Sequence, residues 1–459
     1  MYQIVANDLD LLSVKTLSPR SMLLVVAGFC VLCGISSNAI AANPRKPNII
    51  FILADDLGYG DLGCYGQKLI KTPNIDSLAR QGIRFTQFYA GSTVCAPSRC
   101  ALMTGKHSGH GRVRGNGGKG EGGTLQAGDV TVAKMLKQAG YRTGIIGKWG
   151  LGNQNTPGVP HRQGFDYSFG YLGHVHAHDY WTDHLFRNGE RVEIPPKTYS
   201  HDLFAEEALD FVRREGEKPF FLYLTFTIPH AKFDPPTDAP YSNEDWSQQD
   251  KNLAAMMTRM DHDIGRLMSL LKELNLENDT IVFFTSDNGP REQGAKLFQS
   301  AGPFRGIKRD LYEGGIREPM IVRWPDKVKA GATSEQVWAF WDVLPTLSDI
   351  AGAKSSDNID GISMLSALLG QSQSRQDLLY WEFHERGFDQ AVRMDDWKAV
   401  RHNKGPLELY DLRKDPGEAK NVARENPTVV QKIHEYLKTA RSESAAWPIN
   451  DGPRKKQRK

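Results

Sequence analysis

Two acidic pairs carry the first hint of chemistry: Asp55-Asp56 closes the apolar run NIIFILADD, and Asp287-Asn288 closes TIVFFTSDN. Three carboxylates and an amide oxygen gathered at one place make a hard oxygen donor set that suits Ca²⁺ or Mg²⁺, whereas zinc calls for His or Cys. A single strand-end Asp-Asp is ordinarily a turn or a helix cap; two such pairs at two strand ends argue for shared chemistry. Between them lies STVCAPSRC, Ser92 to Cys100. Pro97 suits the first position of a short helix that Gly105 ends, which sets Cys95 at a helix N-terminus, where backbone N–H groups favour an anion. On its residues alone Cys95 reads as a thiol of depressed pKa, nucleophilic or redox-active. Lys148 in GKWG and His230 in IPHAKF also follow apolar runs. Taken singly, they read as a solvated lysine and a turn histidine.

Such groups need a rigid frame. NIIFILA (48–54), RTGIIG (142–147), FFLYLTFT (220–227) and TIVFFTS (280–286) are short apolar runs with polar or Gly/Pro borders, the pattern of strands buried on both faces of a parallel sheet. Helical patterns lie between them. Thr72 caps one, with Pro73 first and Gly82 past its end; Val130 to Ala139 ends at Gly140. A longer one carries Leu253, Met256, Met257, Met260, Ile264, Leu267, Leu271 and Leu274 at helical spacing, the methionines serving as core filler. Alternating strands and helices predict an α/β sheet whose ligands bind beyond the carboxyl ends of its strands. Asp55-Asp56, Lys148-Trp149, Pro229-His230 and Asp287-Asn288 then share one rim. After the polar stretch GQSQSRQD (370–377), the segments LLYWEF, QAVRM, WKAVR and LELYDL precede a helix from about Pro427 to Ala440, predicting a small antiparallel sheet with one helix.

The 459 residues leave room for one large domain or a large one with a small one. A net charge of +3 gives no case for nucleic acid, although PRKKQRK forms a basic tail, either a solvated end or an attractor for a polyanionic substrate. MLLVVAGFCVLCGI (22–35) is shorter than a bilayer span and is followed by NAIAAN with small residues at cleavage spacing. It reads as a signal peptide covering 1–42, with an uncleaved anchor as the other possibility; no other segment reads as membrane-spanning. Cleavage removes Cys30 and Cys33 and leaves Cys64, Cys95 and Cys100, too few for a disulfide framework in an exported chain.

The same residues fall into a known order. CAPSR followed by LMTGK resembles the C-x-P-S-R signature of type I sulfatases, whose cysteine is oxidised after translation to Cα-formylglycine (3-oxoalanine). PNIIFILADDLGYGDLGCYG, TPNIDSLARQGIRFTQFY, GKWGLG, PHAKFDPP, TSDNG, YEGGIREP, DVLPTL and ELYDLRKDPGEAKN extend the resemblance over nearly the whole mature chain. It implies an alkaline-phosphatase-like α/β fold, here a catalytic domain at 43–372, a C-terminal α+β subdomain at 373–448 and a basic tail at 449–459. It further implies that Asp55, Asp56, Asp287 and Asn288, completed by the modified Cys95, hold one divalent cation, normally calcium. Arg99 would support the formylglycine hydroxyl and the metal region, Lys148 and Lys308 the sulfate oxygens, and His230 the leaving-group oxygen. A hydrated aldehyde carries two hydroxyls on one carbon, so one attacks sulfur and the other later expels sulfate as the aldehyde re-forms; serine or cysteine would be left holding an ester. The implied partners are a sulfated glycan or other sulfate ester and a formylglycine-generating or sulfatase-maturing enzyme. The implied location is the periplasm or exterior of a bacterium.

One position departs from the pattern. Many sulfatases read GKWH where this chain has Gly150, which leaves the base that resets the aldehyde unassigned. His107 and His110, in GKHSGHG just past the signature, are candidates. Substrate contacts are expected from rim loops: His174, His176 and His178 in GHVHAHDYW, with Tyr180 or Trp181 stacking on a sugar, and Arg291, His384 and Gln390. Two other functions fit the same residues: a phosphomonoester or phosphonate hydrolase of the same superfamily, and a silent calcium-dependent glycan-binding protein.

Overall fold

The central strands are apolar on both alternating faces, with polar residues mainly at their ends, so they belong inside a sheet covered on both faces. In a computed structural model, which describes residues 46–116, 120–373 and 378–449, this is where they lie. The expected signal peptide, positions 374–377 of the polar stretch and the tail beyond 449 fall outside the described residues. Strands β1 (Asn48–Ala54), β3 (Arg142–Lys148), β7 (Phe220–Thr225) and β8 (Thr280–Ser286) match the four expected runs. With β4 (Tyr167–Tyr171) they form a parallel centre in the order β8-β1-β7-β3-β4. Alternate residues of β1 feed two cores: Ile49, Phe51 and Leu53 on one face, Ile50, Ile52 and Ala54 on the other. Phe51 stacks on Phe283 of β8 at 5.5 Å between ring centroids, fixing the register from the side chains as well as the ladder.

Outside this centre the sheet is mixed. β2 (Ile83–Tyr89) and β9 (Arg317–Arg323) are antiparallel neighbours, β9 lies antiparallel to β8, and β10 (Ala332–Ser334) and β11 (Trp338–Ala339) pair with β2. At the far edge β5 (His184–Arg187) and β6 (Glu190–Glu193) form a hairpin beside β4.

Helix boundaries follow the expectations with corrections in detail. Helix Pro73–Gln81 starts at Pro73, but the Thr72 hydroxyl does not cap it, because that oxygen accepts from Gly63 N–H instead. The Val130–Ala139 pattern becomes Val132–Gln138, capped by Thr131, whose hydroxyl accepts from Lys134 N–H. The long helix is Gln248–Glu273, with Met256, Met257 and Met260 buried. The signature helix spans Cys95–Thr104 and is buried throughout, so Cys95 rather than Pro97 opens it; Gly105, at φ +70°, ends it.

The second sheet has the order β12 (Leu379–Phe383), β13 (Asp389–Met394), β14 (Trp397–His402), β15 (Glu408–Asp411), antiparallel throughout, with helix Pro427–Leu437 beside it. Its own core includes Tyr380, Val392, Leu409 and Ile433. Trp381 points the other way, packing on Trp341 and donating its indole N–H to Ala90 O at 2.8 Å, just before the signature helix.

Candidate active site

β1 and β8 are parallel neighbours with Ala54 opposite Ser286, so the next residues, Asp55-Asp56 and Asp287-Asn288, emerge side by side. Asp56 has φ +66°, a left-handed turn that sends consecutive carboxylates to the same place. Ser286 Oγ accepts from Leu57 N–H at 3.0 Å and Asp287 Oδ1 from Asp56 N–H at 3.2 Å, locking the two strand ends together. Lys148 closes β3, one step beyond the Gly147–Thr225 pairing with β7. Its carbonyl accepts from Thr225 Oγ1 and from Arg99 Nη1, both at 2.6 Å, which fixes the backbone behind its ammonium.

The signature helix sets Cys95 against these strand ends. Ser98 Oγ accepts from Gly91 N–H at 3.0 Å, and Asn116 Oδ1 accepts from Ala96 N–H at 2.9 Å, holding the approach to the helix and its first turn. Cys95 Sγ lies 3.5 Å from Asp55 Oδ1 and 3.4 Å from Lys308 Nζ. Lys308 also bonds Asp56 Oδ1, and its turn is tied down by Pro290 O, which accepts from Lys308 N–H, and by Thr93 Oγ1, which accepts from Arg309 N–H. Lys148 Nζ meets Asp55 Oδ2 at 2.6 Å, and Arg99 donates to Asp287 Oδ2 from Nε at 3.0 Å and lies 2.9 Å from it through Nη2. His230 follows β7 through the turn 226–229 and lies 3.3 Å from Asp56 Oδ2.

All of these side chains are buried, so their charges are strong only because they are paired. Burial works against the Asp55 carboxylate, but Lys148, His230, Arg99 and Lys308 together hold it well below the usual range. Burial likewise pushes His230 down to about 4, against the pull of Asp56 and Asp55. The Cys95 thiol is the correction here. Burial lifts it to about 12 although Lys148 and Lys308 oppose the shift, so the helix N-terminus does not make it an activated thiolate.

Two buried acceptors, Asp56 Oδ2 and Asn288 Oδ1, have no hydrogen-bond partner. Asn288 spends its Nδ2 on Asp56 Oδ1 and Gly289 O, which turns its oxygen the other way. Orphaned hard-oxygen acceptors beside two further carboxylates fit a divalent cation with oxygen ligands.

Parallel strands that end in such a rim, flanked by helices, form the architecture of the alkaline-phosphatase-like hydrolases. The structure of Ps i-CgsB in complex with k-i-k-neocarrahexaose superposes with a TM-score of 0.78 at 30% identity, covering 89% of this chain and 94% of that one. The Sulfatase family model matches residues 47–353, and the N-sulphoglucosamine sulphohydrolase C-terminal model matches 305–443. Arylsulfatase A of Homo sapiens is 32% identical, with 91% of this chain and 90% of that protein covered. The N-acetylgalactosamine-6-O-sulfatase of Bacteroides thetaiotaomicron is 29% identical, with 87% and 94% covered. The chain belongs to the type I sulfatase family, within the alkaline-phosphatase-like superfamily. It is a sulfatase, an enzyme that hydrolyses sulfate esters.

The remaining candidates scatter. His107 and His110 both engage Asp360, at 3.6 and 2.8 Å, and His107 packs edge-on against Trp341 and Tyr380. His107 Nδ1 accepts from Gly109 N–H at 3.1 Å, which leaves the proton on Nε2, facing Asp360. These rings clasp the turn after the signature helix, and both are engaged by Asp360. Gln390 is buried in β13, bonded to Tyr380 and Arg401, and His384 bonds Glu382 and packs on Phe388 and Trp447. Both make their hydrogen bonds within the small sheet. His176 Nε2 bonds Thr182 Oγ1 at 2.7 Å and stacks on His184, so it holds its own loop. Tyr180 is buried and donates to Thr227 O and His230 O, while Trp181 packs on Tyr199. Arg291 lines a small crevice with Asp56, Pro229 and Phe233.

Two histidines remain with the rim. Burial lowers His174, which feels Lys148, Glu385, Asp55 and Lys308. His178 stacks face to face on His230, 3.9 Å between centroids and 8° from parallel. The fixing residues Asn116, Thr93, Thr225 and Ser286 were not anticipated; each is a small polar residue whose role depends on a backbone group supplied from elsewhere in the chain.

Proposed function

We propose that this sulfatase releases sulfate from a sulfated carbohydrate through a formylglycine made from Cys95, with Ca²⁺ held by Asp55, Asp56, Asp287 and Asn288. The observation that carries the reading is the pair of orphaned acceptors, Asp56 Oδ2 and Asn288 Oδ1, beside a buried Cys95 that Lys308 and Asp55 both touch. Three carboxylates there face Arg99, Lys148 and Lys308, so the protein charges cancel and a bound divalent cation leaves a net positive site for the sulfuryl oxygens. That cation, when bound, supplies Lewis-acid polarisation.

Lys148 and Lys308 bind and orient the sulfuryl oxygens. Arg99 favours ionisation of the attacking hydroxyl of the Cys95-derived group, and His230 passes a proton to the departing alcohol oxygen. Burial holds the resting His230 down to about 4, neutral at pH 7, so the proton it passes on is taken up with the substrate, as negative charge develops on the departing oxygen. Glycan specificity comes from the rim loops, with His174, His178 and Arg291 as the residues that would contact the sugar. The catalytic part (43–372) and the C-terminal α+β part (373–448) act as one exported enzyme that depends on a maturing enzyme for Cys95.

Mass spectrometry of the tryptic peptide holding Cys95, taken from the native host, tests the reading, and the expected product is the aldehyde. A fully unmodified thiol in active enzyme overturns it. Paired assays with an aryl sulfate and the corresponding aryl phosphate are expected to favour sulfate; a strong phosphate preference reassigns the reaction to phosphomonoester or phosphonate hydrolysis.

A further inference from the structure

We propose that His178 determines specificity: its Nε2 hydrogen-bonds a hydroxyl on the carbon next to the one bearing the ester oxygen, so the enzyme prefers sulfated sugars and polyols in which that hydroxyl is free. This rests on the sulfatase reading of the site and on His230 as the group beside the leaving oxygen.

The geometry starts from the pair of rings. His178 lies 3.9 Å from His230 and 8° from parallel, so whatever approaches the edge of His230 also meets the edge of His178 one ring thickness away. With the ester oxygen at His230, as the proposed function puts it, a neighbouring carbon of the leaving group is the next part that His178 would meet.

The second observation is an unpartnered atom. His178 Nε2 is buried and makes no hydrogen bond within the protein, whereas Nε2 of His176, two residues earlier, is satisfied by Thr182. Burying a polar nitrogen without a partner is unfavourable, and a substrate group that fills the position recovers the loss. The loop is not free to rearrange and find another partner. Tyr180 donates to Thr227 O at 3.1 Å and to His230 O, and Tyr171 donates to Asp179 O at 2.5 Å, bracketing His178 on both sides.

The chemistry of the ring then selects the group. The sulfuryl oxygens only accept, and Lys148 and Lys308 are the cationic donors placed for them. Burial and the neighbouring His230 disfavour a proton on His178, so its ring is neutral and offers one donor and one acceptor. A hydroxyl, which also donates and accepts, is the matching partner.

The test uses the matured, metal-loaded enzyme and two variants. His178→Phe keeps an aromatic face on His230 but removes the nitrogen; His178→Asn keeps hydrogen-bonding capacity and gives up the ring. Each is assayed on 4-nitrophenyl sulfate, which has no adjacent hydroxyl, on the best-cleaved sugar sulfate from a monosaccharide panel, and on the analogue of that sugar deoxygenated at the adjacent carbon. For His178→Phe, kcat/KM on the sugar sulfate is expected to fall roughly 10–100-fold, as when one buried hydrogen bond is lost, with the aryl sulfate changed by less than about 3-fold. The wild type, but not His178→Phe, discriminates against the deoxy analogue, and His178→Asn restores part of that discrimination. Equal losses on sugar and aryl sulfate assign His178 to buttressing His230 and overturn the proposal, as does an unchanged sugar rate. A wild type that cleaves neither ester fails the sulfatase reading itself, and the assignment falls with it.

Discussion

Two buried charge networks in this molecule differ in how they are closed. Between the sheets, Glu313 accepts from Tyr89 OH at 2.6 Å, pairs with Lys398 at 2.9 Å and with Arg317 at 3.2 Å. Glu418 joins that network, one oxygen accepting from Glu313 N–H while the other, 3.5 Å from Lys398, makes no hydrogen bond. Every Glu313 acceptor is spent on the protein. At the rim, charges of both signs are just as deeply buried, yet Asp56 Oδ2 and Asn288 Oδ1, at the ends of neighbouring strands, are left over. Between the sheets a proton serves the leftover oxygen, because burial lifts Glu418 to about 7; at the rim, against burial, His230 and Lys308 hold Asp56 below the usual range, so its leftover oxygen suits a cation instead.

The contrast is broken most sharply at Cys95. Cys95→Ala is expected to lower turnover of an aryl sulfate by at least about 10³-fold, since no other nucleophile replaces it, while thermal unfolding moves by only a few degrees. Chelation comes next. Dialysis against EGTA is expected to abolish activity and lower Tm by several degrees, both restored by Ca²⁺, because an ion bound only by the folded state stabilises it. Lys398→Met attacks the other network: it strips Glu418 of its cation and is expected to cost about 3 kcal/mol in denaturant unfolding, with kcat/KM of the folded enzyme within about 2-fold of wild type. Comparable loss of activity in Lys398→Met, beyond the unfolded fraction, would show that the two networks are not separable.

The inter-sheet network also sets a pH dependence. Burial lifts Glu418 from 4.5 to about 7, although Lys398 pulls it down, so the folded chain holds that proton more tightly than the unfolded one. This contribution is fully present below about pH 4.5 and is lost as pH rises through 7. Glu418→Gln is expected to flatten the stability profile across that window, read by urea midpoints at successive pH values. The smallest effect belongs to Gly150. It sits at φ +80°, and an added Cβ meets nothing nearer than Arg99 Cδ at 3.9 Å, so Gly150→Ala is strained by the backbone alone, at about 1 kcal/mol. The same left-handed turn disfavours the histidine that the GKWH pattern would put here.

Much of the site was legible because it sits where strands stop. β1, β3 and β8 announce themselves by unbroken apolar runs, and the residues that follow are positioned by ladder register alone, as the pairing of Ala54 with Ser286 illustrates. His230 needed more, since four residues of irregular turn separate it from β7. The rim loops carried almost no such information. His176, His178, His384 and Gln390 looked equivalent in sequence, yet Thr182, Glu382 and Tyr380 claimed three of them.

The sequence by itself determined four central strands and their acidic ends, because burial on both faces and a fixed strand register leave few ways to arrange such runs; the order of its motifs around Cys95 carried the family, and the mixed flanks of the sheet went unread. Only the tertiary structure decided which histidines face the chemistry, that the Cys95 thiol is raised rather than activated, and which oxygens stay unpartnered. The physical reason is that a polar side chain's role is set by the partners that distant segments bring within hydrogen-bonding distance, and those partners do not follow from its own neighbours in the chain.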